Sequence, residues 1–212
     1  MNKINNIHKK KCTFSAVVHA RVNLIGEHTD YTGGYVMPTL IPFKTKIYIS
    51  TNKKNYLIQS NLFKKKINFK IIKKQKNFHW SNYIRGCLSI IYDNFNVKKE
   101  YLNIYIVSNI PINKGISSSA ALCVAMIKVL NKFYKLKINK NDIALMAQRV
   151  EKEYIGLSGG IMDQMVCCLG SIKKAFFLDC HTLKNEIINI PSNFIFYIID
   201  SNTQRKLRES SY

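Results

Sequence analysis

The chain has 212 residues, 47% of them hydrophobic, which suffices for one large core and leaves room for at most one and a half ordinary domains. Its net charge of +21 is mostly Lys spread through every segment among many Asn and Ile, a compositional drift and not a basic face built for specific nucleic acid. No apolar run approaches the ~18 residues of a spanning helix. The basic start Met1 to Lys11 has no apolar stretch behind it, and the six cysteines form no C-x-x-C pair, so membrane, secretory, zinc-site and disulfide-framework classes are set aside in favour of a reduced, cytoplasmic chain.

Residues 1–12 read as a basic lead-in. Thr13 to His19 has strand character, and the polar run Arg21 to Tyr35 follows it. Within that run Glu27, His28, Thr29 and Asp30 crowd polar side chains between a β-like segment and the Gly33-Gly34 turn. Carboxylates and an imidazole at this density suit a polyhydroxylated ligand, because each hydroxyl needs a directed partner; the plainer alternative is a solvated loop. Tyr35 to Thr51 reads as β-structure broken or edged by Pro38 and Pro42. Tyr56 to Ser60 and Lys66 to Ile72 form a hairpin, and His79 to Phe95 a helix whose apolar stripe starts at Trp80, with Ser81 or Asn82 as cap. Trp80 stands where it could stack on a base.

Tyr101 to Ser108 is a strand, Asn109 to Ala120 a small-residue loop, and Leu122, Met126, Val129, Leu130 and Phe133 recur at helical spacing after it. Strand, flexible loop and helix start make an anion site, since first-turn N–H groups are unpaired and the helix dipole favours negative charge. Gly115 permits close backbone approach, and Ser117, Ser118 and Ser119 add hydroxyls; no Lys follows Gly115, so this is not a Walker A loop. An ordinary serine cap is the competing reading. Asn141 to Tyr154 reads as a helix capped by Asn141, with Glu151 beside its buried face as a surface carboxylate or a metal ligand. Glycines at Gly156, Gly159 and Gly160 precede a short helix that carries Asp163 in its first turn and closes at Gly170. Ala175 to Asp179, Glu186 to Ile190 and Phe194 to Asp200 complete a meander, and the polar tail from Ser201 to Tyr212 adds no closing element.

Three of these stretches together resemble the galactokinase branch of the GHMP small-molecule kinases. Arg21-Val22-Asn23-Leu24-Ile25-Gly26-Glu27-His28-Thr29-Asp30-Tyr31 is similar to the galactokinase signature, Pro111 to Ala121 to the family's phosphate loop, and Gly160-Ile161-Met162-Asp163-Gln164 to the catalytic segment. The resemblance implies an α+β fold, a mixed sheet packed with helices as in the GHMP-kinase N-terminal domain, over residues 13–200. It implies that residues 201–212 begin a C-terminal domain that is otherwise absent. The implied reaction is phosphoryl transfer from MgATP to the C1 hydroxyl of galactose. Asp163 and Arg21 would be catalytic. Glu27, His28, Thr29, Asp30, Gly160 and Tyr212 would contact the sugar. Asn113, Lys114, Gly115, Ile116, Ser117, Ser118 and Ser119 would cradle the nucleotide phosphates, with Ser60 and Trp80 at the nucleotide and Ser119 and Glu151 on magnesium.

The sequence departs from the family in three places. Val18-His19-Ala20 stands where Ala-Pro-Gly is usual, Asn113 and Lys114 replace loop glycines, and the second domain with its own glycine-rich motif is not in the chain. Asn tolerates left-handed backbone, and Lys114 could add a phosphate contact. Four alternatives stay open: an inactive remnant, a galactose-binding or galactose-sensing module, a split enzyme completed by a separately encoded C-terminal half, and an N-acetylgalactosamine kinase.

Overall fold

The protein is described from a computed structural model, which covers residues 14–75 and 79–202. The basic lead-in, Tyr212 and most of the tail lie outside the described residues. In chain order the elements are strands β1 (Phe14–Asn23), β2 (Tyr35–Val36), β3 (Pro38–Thr51), β4 (Tyr56–Ser60) and β5 (Phe63–Phe69), helix α1 (Ser81–Asn94), strand β6 (Leu102–Ser108), helices α2 (Ser118–Tyr134) and α3 (Lys140–Arg149), a π-turn (Val150–Ile155), helix α4 (Met162–Leu169), and strands β7 (Lys174–Asp179) and β8 (Asn185–Asn189).

The strands form one mixed eight-stranded sheet in the order β2-β7-β3-β6-β4-β5, with β1 added to β3 and β8 to β7. β3 is its spine. β1 runs antiparallel to it from Phe14 opposite Ile49 to Asn23 opposite Pro38. β6 pairs antiparallel with its second half, and β7 meets it at Thr39 opposite Ala175. β4 lies parallel to β6, which the β5–α1 connection makes possible. Period-two alternation turns Ala16 and Val18, Ile47 and Ile49, and Ile104 and Ile106 to the buried side.

α2 is central: it packs against β1 and β3 and also against α1, α3 and α4. That is why its burial runs around the helix through Ala120, Cys123, Val124, Ala125, Met126 and Ile127, beyond the single stripe its sequence advertises. α1 crosses the π-turn at Gly86, where an added Cβ would stand 2.8 Å from Tyr154 and from Val150. Cys87, Cys123, Cys167 and Cys168 are buried free thiols and Cys180 is half-buried. Among the described residues no helix is long and apolar enough to cross a membrane.

Several expected boundaries move. The third helix is capped by Asn139, not Asn141: the Asn139 backbone is extended and its side-chain oxygen accepts from the Asp142 N–H at 2.9 Å. That helix also stops at Arg149 and passes into the π-turn, so Glu151 is not on a regular α-helix. α1 carries no side-chain cap, because Ser81 Oγ bonds His79 Nδ1 at 2.7 Å instead. Phe194 to Asp200 is no strand. It has no ladder partner among the described residues, and β propensity without a neighbouring edge does not make a strand.

The tight crossing at Gly86 gives a test. Gly86→Val should destabilise the fold by about 1–3 kcal/mol through overpacking against Tyr154, seen as a lower denaturant midpoint at unchanged slope.

Candidate active site

Arg21 lies at an irregularity in the pairing of β1 with β3. Between His19 opposite Lys44 and Arg21 opposite Leu40 the register shifts, and Pro42 sits in the extra β3 residues there. Arg21 Nε donates to Asp163 Oδ1 at 2.6 Å, and its second nitrogen approaches the same oxygen at 2.6 Å. Arg21 also donates to the Gly115 carbonyl at 2.7 Å. The other carboxylate oxygen of Asp163 accepts from Ser117 Oγ at 2.6 Å. One carboxylate therefore ties β1, the loop before α2, and the first turn of α4 together. The side chains of Arg21 and Asp163 are 13% and 26% exposed, sheltered yet open to a ligand. Burial pulls the Arg21 pKa down, but Asp163 outweighs it, and the net shift is upward.

The loop's backbone is unusual. Asn113, Gly115 and Ser117 have φ of 61°, 72° and 59°, all left-handed. Ser117 occupies the N-cap of α2 but makes no side-chain cap bond: its backbone is left-handed where a cap is normally extended, and its hydroxyl is turned to donate to Asp163. The ordinary-cap reading therefore fails on geometry, and the first-turn N–H groups of α2 receive no side-chain cap from Ser117. Lys114 points elsewhere: its ammonium pairs with Asp200 at 2.7 Å. Ile116 packs against the core.

Two cavities meet at this loop. The first, about 320 Å³, is lined by Arg21, Glu27, His28, Asp30, Ser117, Glu151, Gly160, Asp163 and Gln164 among others. The second, about 560 Å³, is lined by Ser60, Phe63, His79, Trp80, Tyr83 and apolar residues. Asn113, Ser118, Ser119 and Leu157 border both. In the second cavity Trp80 stacks on Phe63 with centroids 4.7 Å apart. In the first, Glu27 accepts from Asn23 at 3.1 Å and His28 meets the Tyr31 hydroxyl at 3.0 Å. The Asp30 carboxylate lies against Gly160 so closely that a Cβ there would collide with it. Burial and the Asp163 charge push the Asp30 pKa up. Thr29 lines neither cavity; its hydroxyl lies 2.8 Å from the Gly26 carbonyl and 2.7 Å from that of Tyr35, pinning the turn.

Glu151, on the π-turn, reaches the first cavity. Burial pushes its pKa up to about 7, offset in part by the Ser119 hydroxyl and the Gln164 amide. Gln164 Nε2 donates to Glu151 Oε2 at 2.6 Å, while Glu151 Oε1 and Gln164 Oε1 are buried with no partner among the described residues. A bare buried carboxylate oxygen beside a serine hydroxyl fits a hard cation. Among the described residues no group of three or more His, Cys, Asp and Glu is placed to hold a metal, so a cation here would need further oxygens from a ligand. Tyr31 and Gln164 lay inside two of the sequence motifs without an assigned role, and Phe63 carried no sequence signal. Tyr31 acts locally on His28, whereas Gln164 and Phe63 meet Glu151 and Trp80 only through the fold.

Comparison with known proteins accords with this arrangement. Residues 82–171 match the GHMP kinases N terminal domain, and residues 5–51 match the galactokinase galactose-binding signature. The chain has the fold of the GHMP kinase N-terminal domain. It is similar to the galactokinase of Lactobacillus helveticus, 35% identical over 91% of this chain and 51% of that one. It is equally similar to that of Thermococcus kodakarensis, 35% identical over 91% of this chain and 54% of the relative. The crystal structure of Lactococcus lactis galactokinase complexed with galactose superposes with a TM-score of 0.78 at 34% identity, covering 83% of this chain and 47% of that one. The mevalonate kinase of Methanococcus jannaschii, 22% identical, shares the fold at a TM-score of 0.68, over 84% of this chain and 56% of that one. The chain spans about half the length of the galactokinases it matches.

The Glu151 carboxyl binds its proton more tightly in the folded state, from an ordinary 4.5 to about 7. Its contribution to stability is therefore complete below pH 4.5 and is lost as pH rises toward 7. Glu151→Gln, which cannot ionise, should gain up to about 3 kcal/mol relative to the parent chain between pH 4.5 and 7.5, read from denaturant titrations at the two pH values.

Proposed function

We propose that this chain forms the sugar- and nucleotide-binding part of a galactokinase, over residues 13–200, and that its site serves phosphoryl transfer from ATP to the C1 hydroxyl of galactose. One observation carries the reading. Asp163, held by Arg21 and Ser117, stands in a cavity rich in hydrogen-bonding groups, and the serine loop joins that cavity to an aromatic one.

Galactose would occupy the first cavity, with Glu27, His28 and Asp30 on its hydroxyls and Gly160 leaving room beside Asp30. The Asp163 carboxylate takes the C1 hydroxyl proton as the sugar oxygen attacks the γ-phosphorus. The bond from that phosphorus to the bridging oxygen breaks, and ADP leaves. Arg21 stabilises charge on Asp163 and on the transferring group, a reaction governed by positioning and electrostatics. Asn113 to Ser119 would hold the phosphates on backbone N–H groups and hydroxyls, and Trp80 and Ser60 would line the base pocket. Lys114 would exchange Asp200 for a phosphate oxygen. Ser119 and Glu151 would hold magnesium, which supplies neutralisation of phosphate charge. Thr29 would act by fixing the sugar loop and Ile116 by packing the phosphate loop. Tyr212, outside the described residues, remains a proposed sugar contact from the resemblance alone. These substrates are small and polar, in keeping with a cytoplasmic chain that meets neither membrane nor specific nucleic acid.

Because the chain spans half the length of its relatives, we expect turnover to depend on a C-terminal half. Galactose 1-phosphate formation would be measured with galactose and MgATP, for the chain alone and with the C-terminal half of the Lactobacillus helveticus enzyme added. Product in the second case, reduced about 10²–10⁴-fold by Asp163→Ala, supports the reading. A folded chain that binds no galactose by calorimetry and yields no product in either case overturns it. Gly160→Ala should separately weaken galactose binding at least about tenfold, since a change of 1.4 kcal/mol is tenfold, while leaving ATP binding unchanged.

A further inference from the structure

Gln164 is 1% exposed, polar, and set among Met162, Met165 and Val166. A polar side chain sealed in such a place is costly unless its hydrogen bonds are made. Only half of them are. Its Nε2 donates to Glu151 Oε2 at 2.6 Å, and its Oε1 has no partner among the described residues. The amide orientation follows from the carboxylate, which accepts and would repel the amide oxygen. The neighbouring oxygen Glu151 Oε1 is equally bare, and both residues line the first cavity.

The local backbone explains why a tether is needed. Glu151 is on the π-turn, whose hydrogen bonding differs from that of the α-helix before it, and such single turns recur at functional sites. A carboxylate there is not fixed by regular helix packing. Gln164 reaches it from α4, and α4 itself is anchored: Asp163 bonds Arg21 and Ser117, and Lys128 donates to the Cys167 and Cys168 carbonyls at the helix end.

We propose that Gln164 is a positioning residue that fixes Glu151 Oε2, so that Oε1 is presented to the magnesium ion of a bound nucleotide, and that Gln164 Oε1 accepts a hydrogen bond from a water on that ion. The proposal rests on the nucleotide-binding reading above. It accounts for both bare oxygens at once: one takes a cation, the other a donor that the cation brings with it, as magnesium keeps several of its waters. It also makes adjacent residues Asp163 and Gln164 serve two different ends of one reaction, the attacking hydroxyl and the metal.

Trp80 is the chain's one tryptophan and lines the aromatic cavity, so its fluorescence reports nucleotide binding. ATP dissociation constants would be measured on the full chain in EDTA and in excess magnesium, and their ratio taken. Gln164→Met keeps the volume and removes the amide. It should lower the ratio about 10–100-fold, the usual effect of losing an outer-shell partner of a metal ligand, while the constant in EDTA stays within about twofold of the parent. Gln164→Asn, whose amide is one carbon too short to reach, should behave alike and guards against a misfolded first variant. Glu151→Gln should lower the ratio, and adding Gln164→Met to it should lower it no further. A Gln164 variant with an unchanged ratio, or one that weakens binding equally with and without magnesium, overturns the proposal. A parent chain whose ATP affinity is measurable but indifferent to magnesium overturns it and the assignment of Glu151, yet leaves galactose binding standing. A parent chain with no ATP affinity overturns the nucleotide reading with it.

Discussion

The ion pair between Arg21 and Asp163 is the contact on which the rest of the site depends. It joins residues 142 positions apart, one on an irregular strand and the other in the first turn of a short helix. Removing one partner would leave the other charge sheltered and unpaired, which costs far more than losing a surface bridge. The elements around it serve this meeting. The register shift between β1 and β3 falls at the guanidinium, Gly160 lets the segment before α4 lie against Asp30, and Lys128 caps the far end of α4.

The loop before α2 depends on the same pair in a second way. Ser117 would ordinarily cap α2 by accepting a bond from the first-turn backbone. Here it donates to Asp163, and the left-handed angles at Asn113, Gly115 and Ser117 turn the loop so that the helix start stays available. Left-handed angles cost a non-glycine residue on the order of 1–2 kcal/mol, less for Asn. Arg21 offsets part of that cost by bonding the Gly115 carbonyl. Loop strain and carboxylate orientation are thus settled by one set of hydrogen bonds.

Charge distribution sharpens the picture. The chain has only 12 acidic residues against 33 basic ones, yet Glu27, Asp30, Glu151 and Asp163 all line one cavity. Mutual repulsion and burial there push Asp30 and Glu151 upward. Four carboxyls gathered in a small space are unfavourable for the bare fold, and the Arg21 guanidinium, which pairs with Asp163, relieves part of that cost. The Lys surplus lies mostly elsewhere, on solvated faces, where it adds a general attraction for polyanions and no site geometry.

The sequence by itself determined most elements and the roster of polar residues, because strand alternation, helical spacing and glycine-bounded turns are local properties. The strand before the loop at residues 109–117, the helix after it and the position of Asp163 were legible in this way. So was the tolerance of Asn113 for a left-handed angle. The π-turn under Glu151 and the lack of a ladder partner for residues 194–200 among the described residues were not, since each is decided by what packs nearby; the cap at Asn139 is local, one Asn read for another two positions on. Only the tertiary structure decided that Arg21 and Asp163 touch, that Ser117 donates to Asp163, that Lys114 faces Asp200, and that Gln164 holds Glu151. The physical reason is that a side chain's partner is chosen by distance in space, and local periodicity carries no record of which distant surfaces will meet.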